Sequence, residues 1–253
     1  MRTLALLLAA PLAFACASHP SAPAVTAASP HIVAAVAAPA RPEADRARDA
    51  ARKPAEMLAF AGITPGQRVA DFIPGGGYFT RILAEAVGPS GKVFALIPPA
   101  GASRTAADGQ VALEALAKEH ANVSLVQQSF TTLTVPEPMD VIFTAQNYHD
   151  LHLARLNLDW AQVNRQIFAA LKPGGVYLVI DHSARAGSDV SVADTLHRID
   201  PAIVRRELEA AGFKYDGESG ALRNPADTLL LGVFDPAIRG STDQFVLRFR
   251  KPK

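Results

Sequence analysis

Histidines and carboxylates stand together at two points where a buried apolar segment gives way to polar sequence. The first is the segment QNYHDLH, which contains His149 and Asp150, and the second is Asp181-His182. Histidine titrates near neutral pH, and a neighbouring carboxylate can orient its ring for proton transfer. This combination predicts general-base chemistry, with His149 or His182 as the base and Asp150 or Asp181 as the orienting group.

A third histidine, His197, is expected at the same edge of the fold. Together with His149 and His182 it could hold a metal ion, but the sequence contains no diagnostic ligand spacing. We therefore predict no metal site. Asp200 stands directly before Pro201, the order typical of a helix cap and the first helical residue, so we interpret it as a cap.

A glycine-rich segment supplies the second candidate site. In VADFIPGGGYFT, an apolar strand ends at an acid, Asp71, and is followed by Gly75, Gly76 and Gly77 before a helix. Glycines let a backbone approach a ligand closely, and a helix amino terminus presents free amides to it. The segment predicts a ligand-binding loop, although a tight turn between a strand and a helix also needs glycine.

The elements that must position these residues alternate along the chain. Buried strands are predicted at QRVADFI, GKVFALI, VSLVQQ, MDVIFTAQ and VYLVIDH, with helices between them. Asp108 and Asp159 are interpreted as helix caps, and Pro54 is expected to break the first helix in two. Arg48 and Arg52 on that helix are interpreted as part of a solvated face.

This order predicts an α/β fold with a doubly wound, mostly parallel sheet. The final segment QFVLRFR alternates apolar and polar residues, so we expect a half-exposed antiparallel strand in a C-terminal hairpin. Ligands of such sheets lie beyond the carboxyl ends of the strands, where both candidate sites fall.

The segment VADFIPGGGYFTRILAEAVGPSGKVFAL resembles the opening of class I S-adenosylmethionine-dependent methyltransferases, and ALKPGGVYLVIDH resembles the approach to their fifth strand. The likeness covers about residues 41–253. The loop is most similar to that of exported bacterial methyltransferases with a P-G-G-G motif. The resemblance implies a Rossmann-like fold, S-adenosylmethionine as the cofactor and a small-molecule methyl acceptor. It implies that the cofactor contacts are Asp71, Gly75, Gly76, Gly77, Tyr78, Ser129, Phe130 and Asn147.

The sequence departs from that family at two places. Ile73 and Pro74 occupy the start of the glycine loop, and no acid stands near Ile97, where relatives hold the ribose hydroxyls. Three alternatives to a methyltransferase therefore stay open. They are an exported ligand-binding or degenerate protein of the same fold, a metal-dependent or acid–base enzyme, and a nicotinamide enzyme, whose fingerprint is absent.

The amino-terminal segment is typical of an export signal. Met1-Arg2-Thr3 is followed by twelve uncharged residues and then by Cys16, the only cysteine. We expect a signal over residues 1–16, an Ala/Pro/Ser-rich linker over 17–40 and the folded domain over 41–253. The protein would be periplasmic, or anchored in the cell envelope through a lipid on Cys16. The net charge of +1 indicates no affinity for nucleic acid. The oligomeric state is not predicted.

Overall fold

The computed structural model describes residues 27–97, 106–129 and 132–253. Its strands are β1 (Arg68–Phe72), β2 (Lys92–Ile97), β3 (Val123–Gln127), β4 (Met139–Ala145), β5 (Leu171–His182), β6 (Lys214–Ser219) and β7 (Gln244–Arg250). Its helices are α1 (Pro30–Val36), α2 (Glu43–Arg46), α3 (Asp49–Arg52), α4 (Pro54–Ala61), α5 (Tyr78–Val87), α6 (Ala106–Glu119), α7 (Trp160–Ala170), α8 (Val192–Leu196) and α9 (Pro201–Ala210). Short 3-10 helices span His149–His152 and Ala154–Leu156.

The strands form one sheet in the order β3-β2-β1-β4-β5-β7-β6. Strands β1 to β5 pair in parallel, and β7 pairs antiparallel with both β5 and β6. The predicted α/β, Rossmann-like, mostly parallel sheet is therefore confirmed. The polar residues after β1, β4 and β5 reach one edge of this sheet, as the sequence predicts.

Both faces of the sheet are covered. Consecutive residues of β1, Val69 and Ala70, belong to two different buried clusters, one under α1, α4 and α5 and one under α7 and α9. The prediction that β7 is half-exposed is wrong: Val246 is fully buried. Val246 packs into the buried cluster on one face of the sheet, and Phe245, Leu247 and Phe249 pack into the cluster on the other face.

The folded part begins before the predicted boundary at residue 41. Helix α1 packs on α4 and α5, with Ile32 and Ala35 buried, so the predicted linker is wrong for residues 30–36. Alanine-rich composition suits a packed helix as well as a tether, and the spacing of Ile32 and Ala35 puts both on one helical face. The predicted signal and Cys16 lie outside the described residues. None of the described helices is long and apolar enough to cross a membrane.

The predicted helix ends are mostly confirmed. Asp159 accepts a hydrogen bond from the Gln162 amide at 2.9 Å, and Asp200 accepts one from the Ala202 amide at 2.9 Å. Pro54 opens α4 after Lys53, which breaks the first helical segment as expected. Asp108 lies inside α6 rather than before it, so its interpretation as a cap is wrong.

Candidate functional site

A cavity of about 240 Å³ opens at the carboxyl end of β1. Its wall combines the start of the glycine loop, the end of β4, the first turn of α5, and α2 and α3. Gly75, Gly76, Asp71, Tyr78 and Asn147 line it, as predicted for the cofactor site. The cavity therefore lies where parallel α/β sheets bind ligands.

The three loop glycines do different work. Gly75, at φ +56°, and Gly76 line the cavity. Gly77 caps α5 at φ +83° and lies against α6, where an added Cβ would come 2.9 Å from Cδ2 of Leu113. Gly77 is therefore a packing residue rather than part of the cavity wall. Ile73 also has positive φ, +60°, which is strained for a β-branched residue and is typical of functional loops.

Asp71 supplies a buried carboxyl group to the cavity wall. Its Oδ2 accepts a hydrogen bond from the Thr80 hydroxyl at 2.7 Å, and the residue is 2% exposed. Burial raises the pKa of Asp71 to about 6, against the smaller opposing effects of Thr80 and Arg52. The carboxyl group is therefore ionised at pH 7, and a cationic ligand group beside it would stabilise the ionised form strongly.

Arg52 brings a positive charge to the same cavity, so its interpretation as solvated is wrong. Its guanidinium lies 4.6 Å from the centre of the Tyr78 ring and donates to Oε1 of Gln146 at 2.5 Å. Burial lowers its pKa to about 10, which leaves it charged at pH 7. The left-handed turn at Lys53 separates α3 from α4. The only sequence signal for this break is Pro54, and it does not show which way Arg52 would face.

Tyr78 ties the amino-terminal helices to the glycine loop. Its hydroxyl donates to Oδ1 of Asp49 at 2.6 Å, and Asp49 also pairs with both terminal nitrogens of Arg41 at 2.6 and 2.8 Å. Burial and the Asp49 carboxylate raise the pKa of the Tyr78 phenol, so it stays protonated. This network holds α2 and α3 over the cavity.

Asn147 closes the opposite side of the cavity. Its side-chain amide donates to the carbonyls of Ile73 at 2.9 Å and Ala145 at 2.7 Å. Those two bonds fix the carboxyl ends of β1 and β4 relative to each other. The residue therefore shapes the cavity wall as well as lining it.

Two of the predicted cofactor contacts, Ser129 and Phe130, come after β3. Phe130 lies outside the described residues. Ser129 pairs its backbone with Thr132 and, in the part of the chain described, is not among the residues lining the cavity. Gln128, whose side chain could have bound a base, instead exchanges two hydrogen bonds with the backbone of Thr134, at 2.6 and 2.7 Å. The structure thus gives no support to a ligand role for Gln128.

The histidine site assembles just beyond Asn147. Nδ1 of His149 donates to Oδ1 of Asp181 at 2.9 Å, and the His149 and His182 amides each donate to the same carboxylate at 2.7 Å. Asp181 is fully buried. Burial alone would raise its pKa, but His149 and these donors hold it below the usual value. In turn, Asp181 raises the pKa of His149 against the effect of burial.

Of the predicted base and acid pairs, the structure therefore forms His149 with Asp181. Asp150 approaches the other ring nitrogen, with its Oδ1 3.4 Å from Nε2 of His149, and burial raises the pKa of Asp150. His182 turns away, with Nδ1 2.7 Å from the Thr242 hydroxyl, and burial lowers its pKa to about 4. His182 is thus neutral and oriented by a hydroxyl rather than by a carboxylate.

Tyr148 and His152 of QNYHDLH belong to a buried network on the other side of the segment. The Tyr148 hydroxyl donates to Oε2 of Glu207 at 2.8 Å, and Nε2 of His152 lies 3.1 Å from the same oxygen. Asn164 donates to the Tyr148 oxygen at 2.7 Å. These contacts anchor the 3-10 helix to α7 and α9, which makes Tyr148 a support for the site rather than a wall of the cavity.

Comparison with known proteins identifies the fold. No family model matches the chain, and no curated protein resembles it significantly in sequence. A SAM-dependent methyltransferase from Aquifex aeolicus is structurally similar, with a TM-score of 0.57 and 19% identity over 81% of this chain and 92% of that one. An arsenic(III) S-adenosylmethionine methyltransferase from Chlamydomonas reinhardtii has a TM-score of 0.55 and 18% identity, over 88% and 74% of the two chains.

The same fold also occurs with other chemistry. SpnF, a cyclase, is similar with a TM-score of 0.56 and 19% identity, over 83% of this chain and 82% of that one. The chain therefore has the class I methyltransferase fold, as predicted. At these identities the likeness shows the fold and leaves the reaction to be argued from the site. The narrower resemblance to exported proteins with a P-G-G-G loop stays a prediction.

Proposed function

We propose that the protein is an S-adenosylmethionine-dependent methyltransferase that acts on a small molecule. The observation that carries the proposal is the pairing of opposite charges, Arg52 and Asp71, in one cavity beside the glycine loop. The methionine end of the cofactor is a zwitterion, with a carboxylate and an ammonium group on one carbon. A cavity that offers one buried cation and one buried anion matches that pair of charges.

The residues present fit the cofactor in charge and position. Asp71 would take the ammonium group, which would lower the pKa of its carboxyl group from about 6, and Arg52 would take the carboxylate. Gly75 and Gly76 leave their side of the cavity free of side chains. The ribose hydroxyls would bind without a carboxylate from β2, because that strand ends in Leu96 and Ile97. We therefore expect micromolar rather than tighter affinity.

Nε2 of His149 is the group that supports an acceptor site. Its partner nitrogen is held by Asp181 at 2.9 Å, and the 3-10 helix that carries it begins two residues after the cavity residue Asn147. An acceptor hydroxyl or amine held in line with the cofactor must lose a proton during transfer. The proximity of His149 to the cavity supports a proton-accepting role for Nε2, and experiment must identify the acceptor.

Titration calorimetry with S-adenosylmethionine and S-adenosylhomocysteine tests the proposal. We expect micromolar binding, about −8 kcal/mol or weaker. Arg52→Gln should weaken it at least tenfold, whereas the control Arg165→Gln, at an exposed ion pair, should not. Absence of heat with both ligands would refute the cofactor assignment and favour a ligand-binding or degenerate protein of this fold.

We further propose that the chain is exported and that its partners are small molecules rather than nucleic acid. Export is supported by the basic start, the short apolar run and Cys16. The net charge of +1 argues against nucleic acid as a partner. Cell fractionation of wild type and Cys16→Ala checks it. A lipid anchor predicts that only the wild type sediments with membranes, and retention of the wild type in the bacterial cytoplasm would contradict export.

A further inference from the structure

Three side chains converge next to the acceptor side of the fold. His149, Asp150 and His197 each offer a ligand atom, and these atoms lie within 4.8 Å of one another. We refer to these three residues as the His–Asp–His cluster. Helix α7, strand β5 and helix α8 separate His197 from the other two residues in the sequence, and the fold brings the three together.

The tautomer of His149 is fixed by its neighbour. Asp181 is fully buried and accepts from Nδ1 of His149 at 2.9 Å, so this nitrogen carries the proton. The lone pair is then on Nε2, which faces the cluster. A carboxylate that holds the far nitrogen of a histidine in this way is the usual support for a metal-bound imidazole, since it orients the ring and strengthens the ligand.

One distance within the cluster matches that of a metal site, and the other ligand atoms lie within 4.8 Å. Nε2 of His149 lies 3.4 Å from Oδ1 of Asp150. Two ligands of a tetrahedral zinc site, with bonds of about 2.0–2.1 Å, stand about 3.3–3.4 Å apart. Without a cation, Nε2 meets this carboxylate oxygen favourably only when it carries a second proton. A divalent ion between them would take the place of that proton and offset the negative charges of Asp150 and Asp181.

The cluster is also accessible. The Asp150 side chain is 28% exposed and His197 is half-buried, while His149 forms the closed back of the site. His197 has φ +53°, a left-handed conformation that histidine and asparagine adopt more often than most other residues. The ring that this backbone presents lies edge-on to His149, with centroids 5.5 Å apart. An ion can therefore enter from solvent and keep an open coordination position.

We propose that the His–Asp–His cluster binds a divalent first-row transition metal such as Zn²⁺. Two imidazoles and one carboxylate select such ions over Mg²⁺ or Ca²⁺, which prefer oxygen ligands alone. Three protein ligands leave a position for water or a substrate oxygen, as in catalytic zinc sites. This site differs from the metal set considered from sequence, because Asp150 takes the place of His182. The inference does not depend on cofactor binding, but it would replace the proposed role of Nε2 of His149 as a base, because a lone pair bound to a metal cannot accept a proton.

Zn²⁺ titration of the chelator-treated protein tests the proposal, with bound metal measured by equilibrium dialysis and elemental analysis. We expect one equivalent of Zn²⁺ per chain. His197→Asn should weaken binding at least tenfold, and asparagine tolerates the left-handed backbone at this position. Asp150→Asn should have a similar effect. The control His120→Asn removes a histidine that pairs with Glu85 at the opposite end of the strands and should bind as wild type does.

Asp181→Asn tests the supporting carboxylate and should weaken Zn²⁺ by about 10- to 100-fold without removing a ligand. Circular dichroism of each variant should match that of the wild type, which would show that the variant is folded. Absence of tight Zn²⁺ binding by the wild type, or equal affinity in His197→Asn, would overturn the site. Unchanged affinity in Asp181→Asn would overturn the supporting role of that carboxylate. Because the titration needs no S-adenosylmethionine, a negative result leaves the cofactor proposal untouched, and the converse also holds.

Discussion

Replacing Asp71 with asparagine should make the unliganded protein more stable above pH 6. The pKa of Asp71 is about 6 in the folded protein and about 3.8 in the unfolded chain, because folding removes the carboxyl group from water. The folded state therefore binds the proton more tightly, and this group opposes folding increasingly as pH rises from about 3.8 to 6. Above pH 6 the penalty is constant.

The size of the effect follows from that difference. A shift of about 2.2 pKa units corresponds to about 3 kcal/mol at pH 8, and about half of this remains at pH 5. Asparagine has nearly the same shape, and its carbonyl oxygen can accept the Thr80 hydroxyl. Its amide hydrogens are less well placed, which costs about 1 kcal/mol. We therefore expect Asp71→Asn to be about 2 kcal/mol more stable than wild type at pH 8.

Urea unfolding of both proteins at pH 5 and pH 8 measures this directly. The advantage of Asp71→Asn should shrink by more than 1 kcal/mol at the lower pH, and its affinity for S-adenosylmethionine should fall at either pH. Thr80→Val should extend the loss of stability to higher pH, because it removes the donor that favours the carboxylate. An Asp71→Asn variant whose difference from wild type is the same at both pH values would refute the burial argument.

Further predictions concern the packing of two glycines and a buried hydrogen bond. Gly77→Ala should lower the free energy of unfolding by about 1–3 kcal/mol, because the position has φ +83° and an added Cβ meets Leu113 at 2.9 Å. Gly76→Ala has open space at its Cβ and should leave the melting temperature nearly unchanged while weakening cofactor binding; equal melting of the two variants would contradict this reading. Tyr148→Phe should destabilise the protein by about 1–3 kcal/mol in urea, because Glu207 loses a buried donor at 2.8 Å, and an unchanged midpoint would mean that water replaces the hydroxyl.

Local sequence patterns were sufficient to predict the sheet. Each parallel strand is an apolar run between turn signals. Strands whose two faces are both covered are apolar throughout, so this pattern predicts them. The patterns did not predict α1, because its small apolar residues continue an Ala/Pro/Ser-rich segment whose composition is also typical of a tether. They also predicted the exposure of β7 wrongly, because alternation does not show that Val246, on the more polar face, packs into a buried cluster of its own.

The candidate site was predictable only where the residues follow strands. Asp71, Asn147, His149 and Asp181 were found because the carboxyl ends of parallel strands meet at one edge. Which histidine pairs with which acid depends on side-chain orientation, and the sequence left both pairings open. Arg52 was missed for a different reason: it lies on a helix whose break at Lys53 sets its direction, and helical periodicity does not describe that break.

The departures from the usual glycine loop, Ile73 and Pro74, reduce the number of backbone donors beside the cavity that Arg52 lines. A loop of the usual kind would present backbone amides along its whole length, but Pro74 has no amide hydrogen and Ile73 is held by its own bond to Leu96 at 3.2 Å. An anionic ligand group near the loop therefore needs another donor. Arg52 lies on the wall of the same cavity, backed by the ring of Tyr78. Under the proposed function, Arg52 of α3 would therefore supply the charge that the altered loop does not.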